Sequence, residues 1–302
     1  MNRDIHVLFG FDMEPDVGSF TPFYKGVREA TSPILDVFEK NNVKGTFFYT
    51  GDAAVKNPES VKEVIARGHE VGCHSLMHET VGDPLFHVPL ETALLPEEVF
   101  NRIEKATALV KSVSQEDPIS FRCPRLWGST SVVNSLEKLG YIADATYPMY
   151  FYRKQTKPYY PSRENWLEEG DSNVLQIPNF ADLVMESNDG ELGRDRDQWP
   201  LFRTEGADYL MQKIKTHIQF LQNRNEPIVL CFYFHPWEFI ELEKSYHFGE
   251  CTIIPDEFIT KNCGDYAMEQ FDLLIQQLLS LGATFHRIDE FAKQWKQNGV
   301  IR

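Results

Sequence analysis

The chain has 302 residues, 42% hydrophobic and 25% charged, with a formal net charge of −15. Such a composition supports a packed globular core, in one large domain or two small ones. The acidic balance argues against nucleic acid and anionic membrane as partners, because neither is attracted by that field.

No apolar run approaches the roughly 20 residues that span a bilayer. The N-terminal stretch MNRDIHVLFGFDMEPD lacks the apolar core and cleavage site of a signal peptide, so a cytoplasmic location is expected. Cys73, Cys123, Cys231, Cys251 and Cys263 are odd in number and widely spaced, which argues against a disulfide framework or a zinc ribbon.

Read in chain order, strands alternate with helices. Residues 4–11 (DIHVLFGF) read as a buried strand, 32–42 as a helix, and 44–51 (KGTFFYTG) as a second strand. Residues 58–68 open with Pro and close with Gly, as helices do. Residues 69–74 (HEVGCH) form a short third strand, and 96–113 an amphipathic helix. A strand at 119–124 (ISFRCP) stops at Pro124, and a helix follows at 129–140. Short strands are expected at 141–147 and 173–179, then a long helix at 205–224. The apolar run 227–235 (PIVLCFYFH) is the clearest strand, and a helix at 265–282 and a strand at 283–289 complete the pattern.

Alternation over the whole length predicts a parallel sheet, here an irregular (β/α)7–8 barrel in a single domain spanning 1–302. No Gly-x-Gly-x-x-Gly follows the first strand, which removes the dinucleotide-binding reading. Residues 148–204 and 239–263 break the rhythm and are expected to form lid-like insertions. Their aromatic richness also offers a surface for a homo-oligomer.

The reactive side chains fall at strand ends. Asp12 and Glu14 follow the first strand, His74 and His78 the third, Arg122 ends the fourth, and His235 ends the 227–235 run. In a (β/α) barrel, that is the face where active sites are built. Asp12 and Glu14 are two apart, so an extended backbone points both to one face, where a cation is needed to keep both ionised. The alternative is a solvated acidic turn that also includes Asp16. His74 and His78 sit four apart, on one helical face or in one tight turn, and suit a metal that also takes a carboxylate. Alternatively, they pack or cap. Arg122 suits a buried bidentate role, whereas Arg125 is expected to face solvent. His235 is placed for a general acid or for a satisfied core histidine. Trp127 and Trp237 are candidates for the walls of a substrate pocket; for Trp237 the alternative is that it simply packs. No partner pattern emerges for His6, His69, His87, His217, His247 and His286.

Taken together, GFDMEPD, TFFYTG, HEVGCHSLMHE, FRCPRLWG and FYFHPWEF, in this order, resemble the polysaccharide deacetylase superfamily, the NodB-homology or carbohydrate esterase family 4 proteins. The resemblance covers about residues 5–290 and is nearer to the cytoplasmic peptidoglycan-deacetylase-like and allantoinase-like branch. It implies an irregular barrel and a divalent metal, most often Zn2+, with Co2+, Mn2+ or Ni2+ as substitutes. It also implies removal of N-acetyl or other acyl groups from a carbohydrate. Under it, His74 and His78 match the metal histidines, Asp12 the general base, Arg122 the arginine that orients the base, and His235 the general acid. The family's second aspartate is replaced by Met13, which leaves Glu14 as the third ligand and Asp16 as the fallback. Two alternatives stay open: an allantoinase-like or deformylase-like hydrolase of a small acylated amine, and a barrel that binds sugar without turnover.

Overall fold

The structure is a computed structural model that describes residues 4–88 and 91–298. Its main sheet is built from β1 (Ile5–Met13), β2 (Thr46–Tyr49), β3 (Glu70–Cys73), β4 (Ser120–Phe121), β5 (Ala143–Asp144), β6 (Leu175–Gln176) and β7 (Ile228–Phe234). A separate hairpin, β8 (Tyr246–Phe248) and β9 (Cys251–Ile253), precedes the last strand, β10 (Ala283–His286). All pairings in the main sheet are parallel, in the order β10, β1, β2, β3, β4, β5, β6, with β7 on the other edge of β1. Past the end of β6, the Phe180 amide donates to the Cys231 carbonyl at 2.7 Å. That bond joins the β6 side to β7 and closes an irregular barrel.

β1 shows why these residues build this shape. Its period-2 alternation divides the side chains cleanly. Val7, Phe9, Phe11 and Met13 face outward into the layer of helices. Leu8 faces inward, with Phe48, Leu175, Ile177 and Cys231. Gly10 and Asp12 share that inward parity. Outside the barrel, Phe9, Phe11, Phe38, Phe47, Phe234 and Phe271 form one aromatic cluster, with most ring centroids between 5.0 and 6.5 Å apart. Burial of such rings is the main favourable term in the fold.

The floor of the barrel is closed by a helix at Ile288–Asn298, whose first two residues fall within the strand expected at 283–289. Ile288, Phe291 and Trp295 fill the interior from below. The Ile288 and Asp289 amides donate to Thr46 Oγ1 at 2.9 Å and Glu70 Oε2 at 3.0 Å. These are N-terminal amides of a helix, so they suit an acceptor there.

Several elements are shorter or longer than their sequence pattern predicts. The helix expected at 32–42 begins at Lys25, because Asp16 accepts hydrogen bonds from the Lys25 and Gly26 amides, both at 2.8 Å. The strands around 119–124, 141–147 and 173–179 shrink to two paired residues each, since irregular loops take over at both ends. Residues 148–204 include β6, which belongs to the barrel wall, and Tyr150 and Trp166, which pack with Tyr147 in an aromatic cluster. Among the described residues, no helix is long and apolar enough to cross a membrane.

A Cβ placed on Gly10 would lie 2.4 Å from Arg122 Nη1, inside the barrel. Gly10→Ala should therefore cost about 1–3 kcal/mol through overpacking, read as a lower urea midpoint. Burial, then the neighbouring Asp289 carboxylate, pushes the Glu70 carboxyl up to about 7. A raised carboxyl contributes stability below its usual range and loses it as pH rises through the folded value. Glu70→Gln should thus gain on the native chain between about pH 5 and about pH 8. An unchanged difference in urea midpoint across that range would contradict the assignment.

Candidate active site

The site lies at the C-terminal end of the barrel and starts from β1. Because Asp12 faces inward, and Glu14 follows two residues later, both carboxyl groups point into the mouth. Both are buried. Arg122, which follows β4, lies in the gap left by Gly10 and stacks over the Phe48 ring at 4.6 Å. Its Nη1 donates to Asp12 Oδ1 at 2.9 Å, its Nε to the Ala145 carbonyl at 3.0 Å, and its Nη2 to the Phe232 carbonyl at 3.3 Å. One guanidinium thus ties together β1, β5 and β7 while fixing one oxygen of Asp12.

His74 and His78 occupy a turn rather than a helix. The four-residue spacing still brings the rings to 5.3 Å, because Ser75 and His78 adopt positive φ of 65°. The His74 Nδ1–H donates to the Arg122 carbonyl at 2.7 Å, which leaves a lone pair on Nε2. That Nε2 lies 3.4 Å from Glu14 Oε2, and His78 Nε2 lies 2.6 Å from the same oxygen. Glu14 Oε2 and His74 Nε2 are nevertheless buried without a partner of hydrogen-bond geometry. The three ligand atoms lie within 4.8 Å of one another. Three buried ligand atoms that converge in this way fit a cation, with two imidazoles and a carboxylate as its protein ligands. Burial opposes the charge on Glu14, but His78, His235 and His74 more than offset it and hold the carboxyl well below the usual carboxylate range. Asp16 is turned to the amides of the Lys25–Lys40 helix, and so is not part of this cluster.

His235 begins the turn after β7. Its Nε2 lies 3.9 Å from Glu14 Oε1, and its ring stacks on Trp237 at 4.9 Å. Its Nδ1 is 3.0 Å from Glu238 Oε1, while Glu238 Oε2 accepts from Arg203 Nε at 2.6 Å. Burial disfavours a charged His235, but the Glu14 and Glu238 carboxylates outweigh it and raise its pKa. Arg203 also donates to the Lys261 carbonyl at 2.6 Å, so the chain His235, Glu238, Arg203 is anchored at its far end. Glu238 and Arg203 escaped the sequence reading. The acid three residues after His235 was a usable signal for Glu238, whereas nothing local marks Arg203.

Trp237 lines the cleft and donates its Nε1–H to Glu14 Oε1 at 3.2 Å. Trp127 lies one layer back, only 1% exposed, packed edge-on against Phe86 at 5.1 Å. Phe86 takes the place at the cleft surface that Trp127 was expected to fill. Arg125 also departs from expectation. Its φ of 59° reverses the chain after Pro124 and turns the side chain to the cleft, where Nη2 meets Glu91 Oε1 at 2.7 Å. The cleft above Asp12, Glu14, His78 and His235 has a volume of about 300 Å³.

The family of polysaccharide deacetylases matches this chain over residues 3–143. A peptidoglycan-N-acetylglucosamine deacetylase of Listeria monocytogenes is 33% identical over 103 residues, 34% of this chain and 20% of that protein. A peptidoglycan-N-acetylmuramic acid deacetylase of Bacillus subtilis is 29% identical over 124 residues, 40% of this chain and 43% of that protein. The chain therefore spans less than half the length of either curated relative. A crystal structure assigned to the polysaccharide deacetylases, from Mycobacterium smegmatis, superposes with a TM-score of 0.65 at 13% identity, covering 99% of this chain and 93% of that one. That likeness bears on the fold alone. The barrel, the order of the motifs and the match over residues 3–143 agree in making the chain similar to the polysaccharide deacetylases, or NodB-homology proteins.

Proposed function

We propose that this protein is a metal-dependent hydrolase that removes an acyl group from an amine. The observation that carries the reading is the convergence of Glu14, His74 and His78 beside an Asp12 held by Arg122. Glu14, His74 and His78 are the ligands, and zinc suits two imidazoles and a carboxylate best, although cobalt, manganese and nickel accept the same donors. When bound there, such an ion polarises a carbonyl and lowers the pKa of water.

The protein's own groups supply the proton transfers. Asp12 acts as general base: Arg122 occupies Oδ1, which leaves Oδ2 for the proton of the attacking water. His235 acts as general acid from the other side of Glu14 and protonates the leaving nitrogen, which departs poorly as an amide anion. Glu238 orients His235 by accepting from Nδ1–H, so that Nε2 faces the cleft, and Arg203 keeps Glu238 ionised and in place. For Glu238, burial is opposed by the Arg203 charge and by His235, and its pKa falls below the usual value.

The names of the two bacterial relatives support N-acetyl removal from an amino sugar as the reaction. A small acylated amine is the second reading. It is favoured by the cleft volume of about 300 Å³, at the lower end of the range for small-molecule sites.

Metal binding tests the first step. After treatment with a chelator, titration with Zn2+ should saturate at one ion per chain and raise the melting temperature. His78→Ala should weaken that binding by about tenfold or more. No binding, and no stabilisation by Co2+ or Zn2+, would favour a barrel without turnover. On a turned-over substrate, Asp12→Asn and His235→Ala should each lower kcat about 10²–10⁴-fold. Glu238→Gln should lower kcat less than His235→Ala and leave Zn2+ affinity unchanged. Near-native kcat in His235→Ala would remove it from the acid role.

A further inference from the structure

The walls of the cleft differ chemically from its floor. The floor holds Asp12, Glu14, His78 and His235. Above them, Phe20, Phe86, Trp199 and Ile259 present apolar faces from separate segments. The remaining polar wall groups among the described residues are Arg125, Arg194 and Tyr233. The Tyr233 hydroxyl is turned away to Asp197 Oδ2 at 2.5 Å. No serine, threonine, asparagine or glutamine lines the cleft among those residues.

This pattern selects against a polyhydroxyl ligand. Each sugar hydroxyl carries a donor and needs an acceptor, and a donor buried without one costs more than the bond would return. The walls offer guanidinium donors and apolar surface instead, so their complement is a ligand rich in acceptors and poor in donors. A carboxylate is the strongest such acceptor for a planar guanidinium.

Arg194 is built for that contact. Its Nη1 lies 3.2 Å from both the Tyr150 hydroxyl and Asp197 Oδ2. Its guanidinium sits over the Tyr150 ring at 5.1 Å and the Trp199 ring at 5.7 Å. Held on these sides, its side chain is still 34% exposed at the cleft. The fork is thus fixed in direction before any ligand arrives, which reduces the ordering cost of binding.

We infer that the substrate is a compact N-acyl compound with an apolar body and a carboxylate, its carboxylate on Arg194 and its acyl group over Asp12, Glu14 and His235. This rests on the hydrolase reading for the chemistry at the floor. It replaces a glycan with a single small acid as the molecule that fills the space above it.

N-acetylphenylalanine, its uncharged carboxamide and triacetylchitotriose distinguish the possibilities. Binding is followed by intrinsic tryptophan fluorescence, to which Trp199 and Trp237 contribute from the cleft, in the chelated protein, and turnover by acetate release from the Zn2+-loaded protein. The acid should bind and turn over about ten- to hundredfold better than the carboxamide, the range expected for a bond to a charged group. Arg194→Met should collapse the acid-to-carboxamide ratio towards unity, and Arg194→Lys should retain part of it. Tighter binding or faster deacetylation of chitotriose overturns the inference and leaves the hydrolase reading intact. An acid no better than its carboxamide in the native chain overturns it without recourse to any variant. Selective binding of the acid with no acetate released from any of the three supports the recognition and removes the hydrolase reading.

Discussion

The Arg122 guanidinium, buried inside the barrel, is the group on which the rest of the site depends. A charge taken out of water is costly unless it is paired and its hydrogen-bonding groups are satisfied. Here one planar group reaches Asp12 on β1, a carbonyl beyond β5 and a carbonyl on β7. Its own backbone carbonyl accepts from His74. A single residue therefore couples the closure of the barrel, the orientation of the candidate base and the tautomer of a candidate ligand. Gly10 is the matching constraint: any side chain there would occupy the space the guanidinium needs.

A second anchored system stands opposite. Arg203, Glu238 and His235 form a buried line of alternating charge that ends at the cleft. The two systems differ in origin. Arg122 is fixed by strands of the barrel, whereas Arg203 belongs to a short helix at Leu201–Thr204 and is held by the carbonyl of Lys261. Glu14 lies between them, touched by His74 and His78 on one side and by Trp237 and His235 on the other.

Much of this was legible in the sequence, for reasons that differ by residue. The inward direction of Asp12 follows from strand alternation, and the meeting of His74 with His78 from their spacing, although a turn rather than a helix achieves it. The long strands and helices were legible because their apolar periodicity is sustained. The two-residue strands β4, β5 and β6 were not, because their ends are set by tertiary pairing rather than local pattern. Trp127 and Arg125 exchanged their expected places for one physical reason. Consecutive positive φ values at Arg125 and Leu126 reverse the chain, a conformation that an ordinary side chain does not announce. Arg203 could not be found at all, since its partner lies 35 residues away.

The position of β1 has a consequence for how the chain acquires its structure. It is the first strand made, yet its partners β7 and β10 lie more than two hundred residues downstream. During synthesis, the apolar edge of β1 must wait for them while only β2 is at hand. Long-range parallel pairing of this kind is slow, and an unpaired apolar edge invites association between nascent chains. Among the described elements, the helix that closes the floor is the last in chain order. The candidate site therefore draws together side chains made far apart in time, since Asp12 and Glu14 lie in and just past β1 and His235 follows β7.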